Sequence, residues 1–285
     1  MRMTRRRWLS GAAGIALATS QAAAEAGDSR RTPPSRLLIG YGVVNLWHTI
    51  DADELAAALS DAGCTLTEIE YVAWFNDAAR KGESTVTSVG AARRFIEAMR
   101  RKRIKTLVSL INWNSAAARE EDDAWFSARV QEMKTTVGPD QVILLGVSEP
   151  DGQEDGKAYR WMKITAREWT GVLAANGNAG RGVPQVAGYD YVDWHHCSDF
   201  DDRSVRISTS GKPTINDTDC GPVLNPGPAR VRAMAHVALH RRAHFHVYGF
   251  HDMAIDHAVI QALGNEIAQA NSSHSAARRN RAYLP

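Results

Sequence analysis

Two segments of this chain close on carboxylates. The apolar run Val142-Ile143-Leu144-Leu145-Gly146-Val147 ends in Ser148-Glu149-Pro150, and further along Lys212-Pro213-Thr214-Ile215-Asn216 ends in Asp217-Thr218-Asp219-Cys220-Gly221. An acid at the end of a buried strand serves something other than solubility, because burying a charge is expensive unless it is paired. Two carboxyl groups facing each other, one as acid and the other as nucleophile or base, are the minimum equipment for cleaving a glycosidic bond. That chemistry requires both segments to be strands of one sheet with their acids at the same edge. A closed β/α barrel meets the requirement, since the carboxyl ends of its strands converge on one face.

The rest of the chain supplies the elements. Buried or β-rich runs are expected at Arg36 to Val44, Thr65 to Trp74, Ile104 to Ile111, Val142 to Val147, Gly171 to Ala175, Tyr189 to Trp194, Thr214 to Asn216 and Phe245 to Phe250,. Helical patterns separate most of them. Asp51 caps a first helix with Glu54 as capping-box partner, and Ser88 caps a second whose apolar face is Val89, Ala92, Phe95, Ile96 and Met99,. A third helix runs from Asp122 to Val137 and a fourth from Lys157 to Trp169. Another begins at Pro228, where proline suits the first turn, and a last one is capped by Asp256,. Little helix is legible between the fifth and sixth strands. Alternating strand and helix argues for a parallel sheet, and eight strands argue for a single-domain α/β fold, the (β/α)8 TIM barrel, over about residues 33–270,. No glycine-rich phosphate loop follows the first strand, so nothing points to a dinucleotide, and no cofactor is expected.

Placed this way, the strand ends carry Asn45, Trp47, Trp74, Asn76, Asn112, Trp113, Asn114, Ser148, Glu149, Asn176, Asp193, His195, His196, Asp217, Asp219, His251 and Asp252. Indoles stack on the apolar faces of sugar rings, while amides, imidazoles and acids bind their hydroxyl rims. The expected carbohydrate contacts are therefore Asn45, Trp47, Trp74, Asn112, Trp113, Asn114, His195, His196, His251 and Asp252, around catalytic Glu149 and Asp217 or Asp219. His195 is placed to orient the nucleophile. Two rival readings use the same residues. A sugar-binding barrel without turnover would keep the tryptophans. A metal-dependent hydrolase would draw on Asp193, His195, His196, Cys197, Asp199, Asp217, Asp219, Cys220, His246, His251 and Asp252. However, the first strand lacks a His-x-His pair and no His-Glu-x-x-His motif appears, so no metal is assigned. His244 and His246 alternate along the eighth strand and should share a face.

On these residues the chain resembles the clan-A glycoside hydrolases, the retaining barrel enzymes that include the cellulase-like families. Their pattern places Asn-Glu-Pro after the fourth strand, with the glutamate as acid/base; Ser148-Glu149-Pro150 matches it. They place a nucleophilic glutamate after the seventh strand, often behind Lys-Pro and before Gly; Lys212-Pro213 and Gly221 match, with Asp217 or Asp219 as the acid. The resemblance implies cleavage of O-glycosidic bonds in a poly- or oligosaccharide. Two positions depart from it. Ser148 stands where the family has an asparagine for the sugar 2-hydroxyl, and aspartate is one methylene shorter than glutamate.

The N-terminus belongs to no strand or helix of this scheme. Adjacent arginines in Thr4-Arg5-Arg6-Arg7 precede an apolar stretch from Gly11 to Ala18 and small residues at Ala22-Ala23-Ala24. That is the layout of a cleaved export signal over residues 1–24, and it resembles a twin-arginine signal, which implies passage of the folded protein through that machinery to the periplasm or beyond. The apolar stretch is too short for a stable membrane anchor. Losing this segment takes four arginines and no acid from a chain of formal charge +2, leaving −2 and no basic stripe for nucleic acid,. Of three cysteines, Cys64 is expected to be a small buried residue, while Cys197 and Cys220 lie in two loops that a barrel would bring near each other and could pair in an oxidising compartment,. The polar tail, residues 271–285, reads as frayed.

Overall fold

The eight expected strands form, and they close. The computed structural model describes residues 37–43, 47–74, 84–150, 156–178, 188–195, 203–218, 227–248 and 255–282. Its barrel strands are β1 (Ile39–Gly42), β2 (Leu66–Trp74), β3 (Lys105–Asn112), β4 (Val142–Ser148), β5 (Val172–Asn178), β6 (Tyr191–His195), β7 (Lys212–Thr218) and β8 (His244–Tyr248). Each pairs in parallel with the next, and β8 returns to β1 through Ile39↔Phe245 to Gly42↔Tyr248. The last seam, β1 to β2, is made at Gly40↔Leu66. Only glycine fits there, since a Cβ on Gly40 would lie 1.7 Å from the Leu66 carbonyl oxygen,. Two short strands, Ser84–Val86 and Ser208–Thr209, pair antiparallel with β2 and β7.

The helices are α1 (Ala52–Asp61), α2 (Val89–Arg101), α3 (Ala116–Glu120), α4 (Asp123–Thr136), α5 (Lys157–Glu168), α6 (Pro228–Arg241) and α7 (His257–Ala282). Asp51 accepts from the Asp53 and Glu54 amides and Asp256 from Val259 N, so two of the expected caps are made, and Asp122, expected as the first residue of its helix, caps it by accepting from Trp125 N,. Ser88 occupies the N-cap of α2 without a side-chain bond to the helix. Glu54, read as a capping-box partner, points its Oε1 to His257 Nε2 of α7. α7 runs on past Asn271 to Ala282, through the segment that reads as a frayed tail, with the Ser272 and Ser273 hydroxyls bonded to carbonyls one turn back. Among the described residues no helix is long and apolar enough to cross a membrane.

Strand alternation sorts side chains into two apolar regions. Leu38, Leu66, Leu107, Ile143, Leu145, Tyr191 and Ile215 fill the lower barrel interior,. The opposite faces of the strands pack under the helices, where Trp161 of α5 stacks on Phe126 of α4 with centroids 4.5 Å apart. Fully buried as it is, Trp161→Ala would cost about 3–5 kcal/mol,. α5 lies so close to β4 that a Cβ on Gly146 would stand 2.2 Å from Thr165 Oγ1. This packing fixes the strand that leads to Glu149. β5 and β7 extend beyond their expected ends; Asn176, Asn178 and Asp217 are turn formers by type, which is why the expected strands stop short of them,. In the barrel, Asn176 and Asp217 have polar partners and stay in the sheet.

Candidate active site

Above the apolar floor, the same period of two brings polar side chains into the barrel. In β2 the inward positions after Leu66 are Glu68 and Glu70; in β5, Asn176 follows Ala174; in β6, Asp193 and His195 follow Tyr191. β7 adds Asp217 after Ile215, and His246 follows His244 in β8,. All seven of these polar groups are buried. His244 and His246 do share a face. His244 stays lower, its Nδ1 accepting from Leu38 N at 2.9 Å and its ring edge-on to Tyr191.

Glu149 stands at the mouth, directly after β4. Its φ of +48° is left-handed, a region that residues other than glycine seldom occupy and that marks functional positions when the surroundings enforce it,. Asn176 Oδ1 accepts the Glu149 amide at 3.0 Å. The carboxylate is held from two sides. Asn114 Nδ2 donates to Oε2 at 2.9 Å, with a longer contact from Asn112 Nδ2 at 3.4 Å, while Oε1 faces His195 Nε2 at 3.2 Å. Asn112 also donates to Glu70 Oε1 at 3.2 Å, and its own Oδ1 accepts the Asn114 amide.

His195 joins the two strands of interest. Its Nδ1 lies 2.8 Å from Asp217 Oδ2, the orienting contact expected from the sequence, and its Nε2 meets Glu149. An imidazole with a carboxylate at each nitrogen satisfies both only by carrying two protons or by sharing one with a partner. The imidazole thus stands between the two carboxylates, one at each ring nitrogen. Asp217 is fully buried, whereas the Glu149 side chain is 21% exposed. Burial pushes the Asp217 carboxyl up to about 6 against the pull of His195 and His246,. His246 is raised as well, because burial, which lowers it, is outweighed by Asp217 and Asp193. A line of titratable groups thus runs from the mouth at Glu149 through His195 to Asp217 and on to His246.

Asn112, Asn114, Glu149, His195 and Asp217 therefore converge. Trp47 and Trp113 do not join them. Trp47 is buried edge-on against Phe95 of α2, its Nε1 donating to the Glu70 carbonyl at 2.7 Å, and Trp113 packs edge-on against Trp161 in the helical layer. Trp74 closes β2 with its backbone, but its side chain lies outside the described residues, as do Asn45, Asn76, His196, Cys197, Asp199, Asp219, Cys220, His251 and Asp252 and the export signal at 1–24. Cys64 is buried, and burial pushes its thiol up to about 12. Glu68 and Glu70 escaped the sequence reading. Two acids at alternate positions of the otherwise strand-like Leu66-Thr67-Glu68-Ile69-Glu70-Tyr71 are the signal that finds them.

No family model and no curated protein matches the chain. Solved structures do match its fold. An endo-1,4-β-mannanase from Rhizomucor miehei aligns with a TM-score of 0.53 at 9% identity, over 85% of this chain and 97% of that one. An endo-β-1,4-glucanase from Xanthomonas axonopodis pv. citri aligns at 0.53 and 9% identity, over 82% and 99% of the two chains. An endo-β-1,4-mannanase from Thermotoga petrophila aligns at 0.55 and 10% identity, over 84% and 78%. The chain is a (β/α)8 barrel of the kind these glycoside hydrolases share.

Proposed function

We propose that this protein is a glycoside hydrolase that cleaves O-glycosidic bonds of a poly- or oligosaccharide, with Glu149 as the acid/base. The observation that carries this reading is the position of Glu149. It sits at the carboxyl end of β4 on a left-handed backbone, with Oε2 on Asn114 and Oε1 on His195, which in turn binds Asp217 of β7. A carboxyl group so placed can give its proton to a leaving oxygen and recover one through the imidazole.

The second carboxylate is Asp217 or Asp219. As the base, Asp217 activates a water, which inverts the anomeric centre; being fully buried behind His195, it meets that water only when the imidazole swings away from its contact with Glu149,. Asp219 is the candidate for direct attack, which retains the anomeric configuration. The stereochemistry of the first product, read by NMR, decides between them. The neighbouring structures act on β-1,4-linked mannan and glucan by their names, so a substrate screen starts there. A purified chain that releases reducing ends, and a Glu149→Gln variant that does not, support the assignment. Equal release by both overturns it. We also propose that residues 1–24 direct the folded protein out of the cytoplasm as a twin-arginine signal.

A further inference from the structure

We infer that Glu68, Asp193 and His246 form a binding site for one divalent transition metal ion, with zinc the best match, inside the barrel. The site goes beyond the hydrolase reading and stands or falls without it.

Its first support is geometry. His246 Nε2 lies 3.2 Å from Glu68 Oε2 and 3.5 Å from Asp193 Oδ1, and one ligand atom from each residue falls within 4.8 Å of the others. Zinc binds imidazole nitrogen and carboxylate oxygen at about 2.0–2.2 Å in a tetrahedron, whose edges are then about 3.3–3.6 Å. The two nitrogen–oxygen separations are those of tetrahedron edges, while a single N–H on Nε2 can be donated fully to only one oxygen. Asp217 Oδ1, 4.0 Å from the same nitrogen, is the next carboxylate oxygen around it and can complete the set directly or through a water.

The second support is charge. Glu68, Glu70, Asp193 and Asp217 are buried together with two imidazoles, and among the described residues no lysine or arginine is buried. A divalent ion offsets two negative charges at the point where Glu68 and Asp193 approach each other. The third support is orientation. Asn176 Nδ2 holds Asp193 Oδ2 at 3.0 Å and His195 holds Asp217 Oδ2 at 2.8 Å, which turns both Oδ1 atoms toward His246 Nε2,. The three ligands come from β2, β6 and β8, so an ion would tie together strands distant in sequence and rigid in place,.

The test uses the purified full chain. Elemental analysis is expected to find about one zinc per chain. After treatment with chelator, adding zinc chloride should restore that stoichiometry and raise the melting temperature by about 5 °C or more at a hundredfold excess over the dissociation constant. Glu68→Gln and Asp193→Asn, near-isosteric changes checked for folding by circular dichroism, should each weaken zinc binding about 10-fold or more. Glu149→Gln, outside the ligand set, should leave the stoichiometry at one. The inference is overturned if the wild-type protein holds no metal and its melting temperature ignores added zinc. It is equally overturned if folded Glu68→Gln and Asp193→Asn bind zinc as tightly as the wild type.

Discussion

The left-handed backbone at Glu149 makes a prediction whose sign runs against ordinary expectation. Replacing alanine by glycine inside regular structure destabilises a protein by about 0.5–1 kcal/mol, because glycine has more freedom to lose. At φ +48° the order reverses, since a Cβ in this region costs about 1–2 kcal/mol that glycine does not incur,. Glu149→Ala and Glu149→Gly both remove the carboxylate with its contacts to Asn114 and His195, so comparing them isolates the backbone. Glu149→Gly should be the more stable of the two by about 1 kcal/mol, or about 2–4 °C in melting temperature for a chain of this size. Urea unfolding of both variants at one pH measures the difference directly. If Glu149→Ala is as stable as Glu149→Gly or more so, the backbone at Glu149 is unstrained.

Three further outcomes follow from the same structure. Trp47→Phe keeps the packing on Phe95 but loses the bond to the Glu70 carbonyl, so it should cost about 1–2 kcal/mol in thermal unfolding and leave KM for any polysaccharide unchanged; a raised KM would make Trp47 a sugar contact after all,. Gly146→Ala places a Cβ against Thr165 Oγ1 and must push α5 off β4, at about 1–3 kcal/mol by chemical denaturation; a neutral effect would mean that this packing is looser than described,. Replacing Arg5 and Arg6 together by lysine should hold the protein in the cytoplasmic fraction, whereas continued export would show that the arginine pair is not read,.

Much of the architecture was legible because the barrel repeats one rule. Apolar runs such as Val142 to Val147 and the capped helices after Asp51 and Asp122 announce themselves by period and by their first residues. Glu149 was legible for a related reason, as the first polar group with chemistry after a buried strand. The interior acids were harder to see. Glu68 and Glu70 belong to a run that looks half exposed by composition, and only the closure of the barrel, with β2 between β1 and β3, shows that its polar face points inward. The tryptophans erred in the other direction. Trp47 and Trp113 occur at strand ends as a sugar platform would, but the chain turns there, into a 3-10 turn at Trp47 and toward α3 after Trp113, and a large apolar ring at such a turn is drawn under the neighbouring helix. Direction after a strand end depends on loop geometry, which residue type alone does not carry.

In the proposed reaction Glu149 gives a proton to a departing sugar oxygen. A general acid matters when the leaving group is a poor one, such as a sugar hydroxyl, and matters little when it leaves readily as an anion, such as dinitrophenolate. The direct measurement compares wild type and Glu149→Gln on a hydrolysed polysaccharide and on the dinitrophenyl glycoside of the same sugar. If Glu149 is the acid, kcat/KM falls by about 10²–10⁴-fold on the polysaccharide and by far less on the aryl glycoside. Equal losses on both substrates, or none on either, would contradict that assignment.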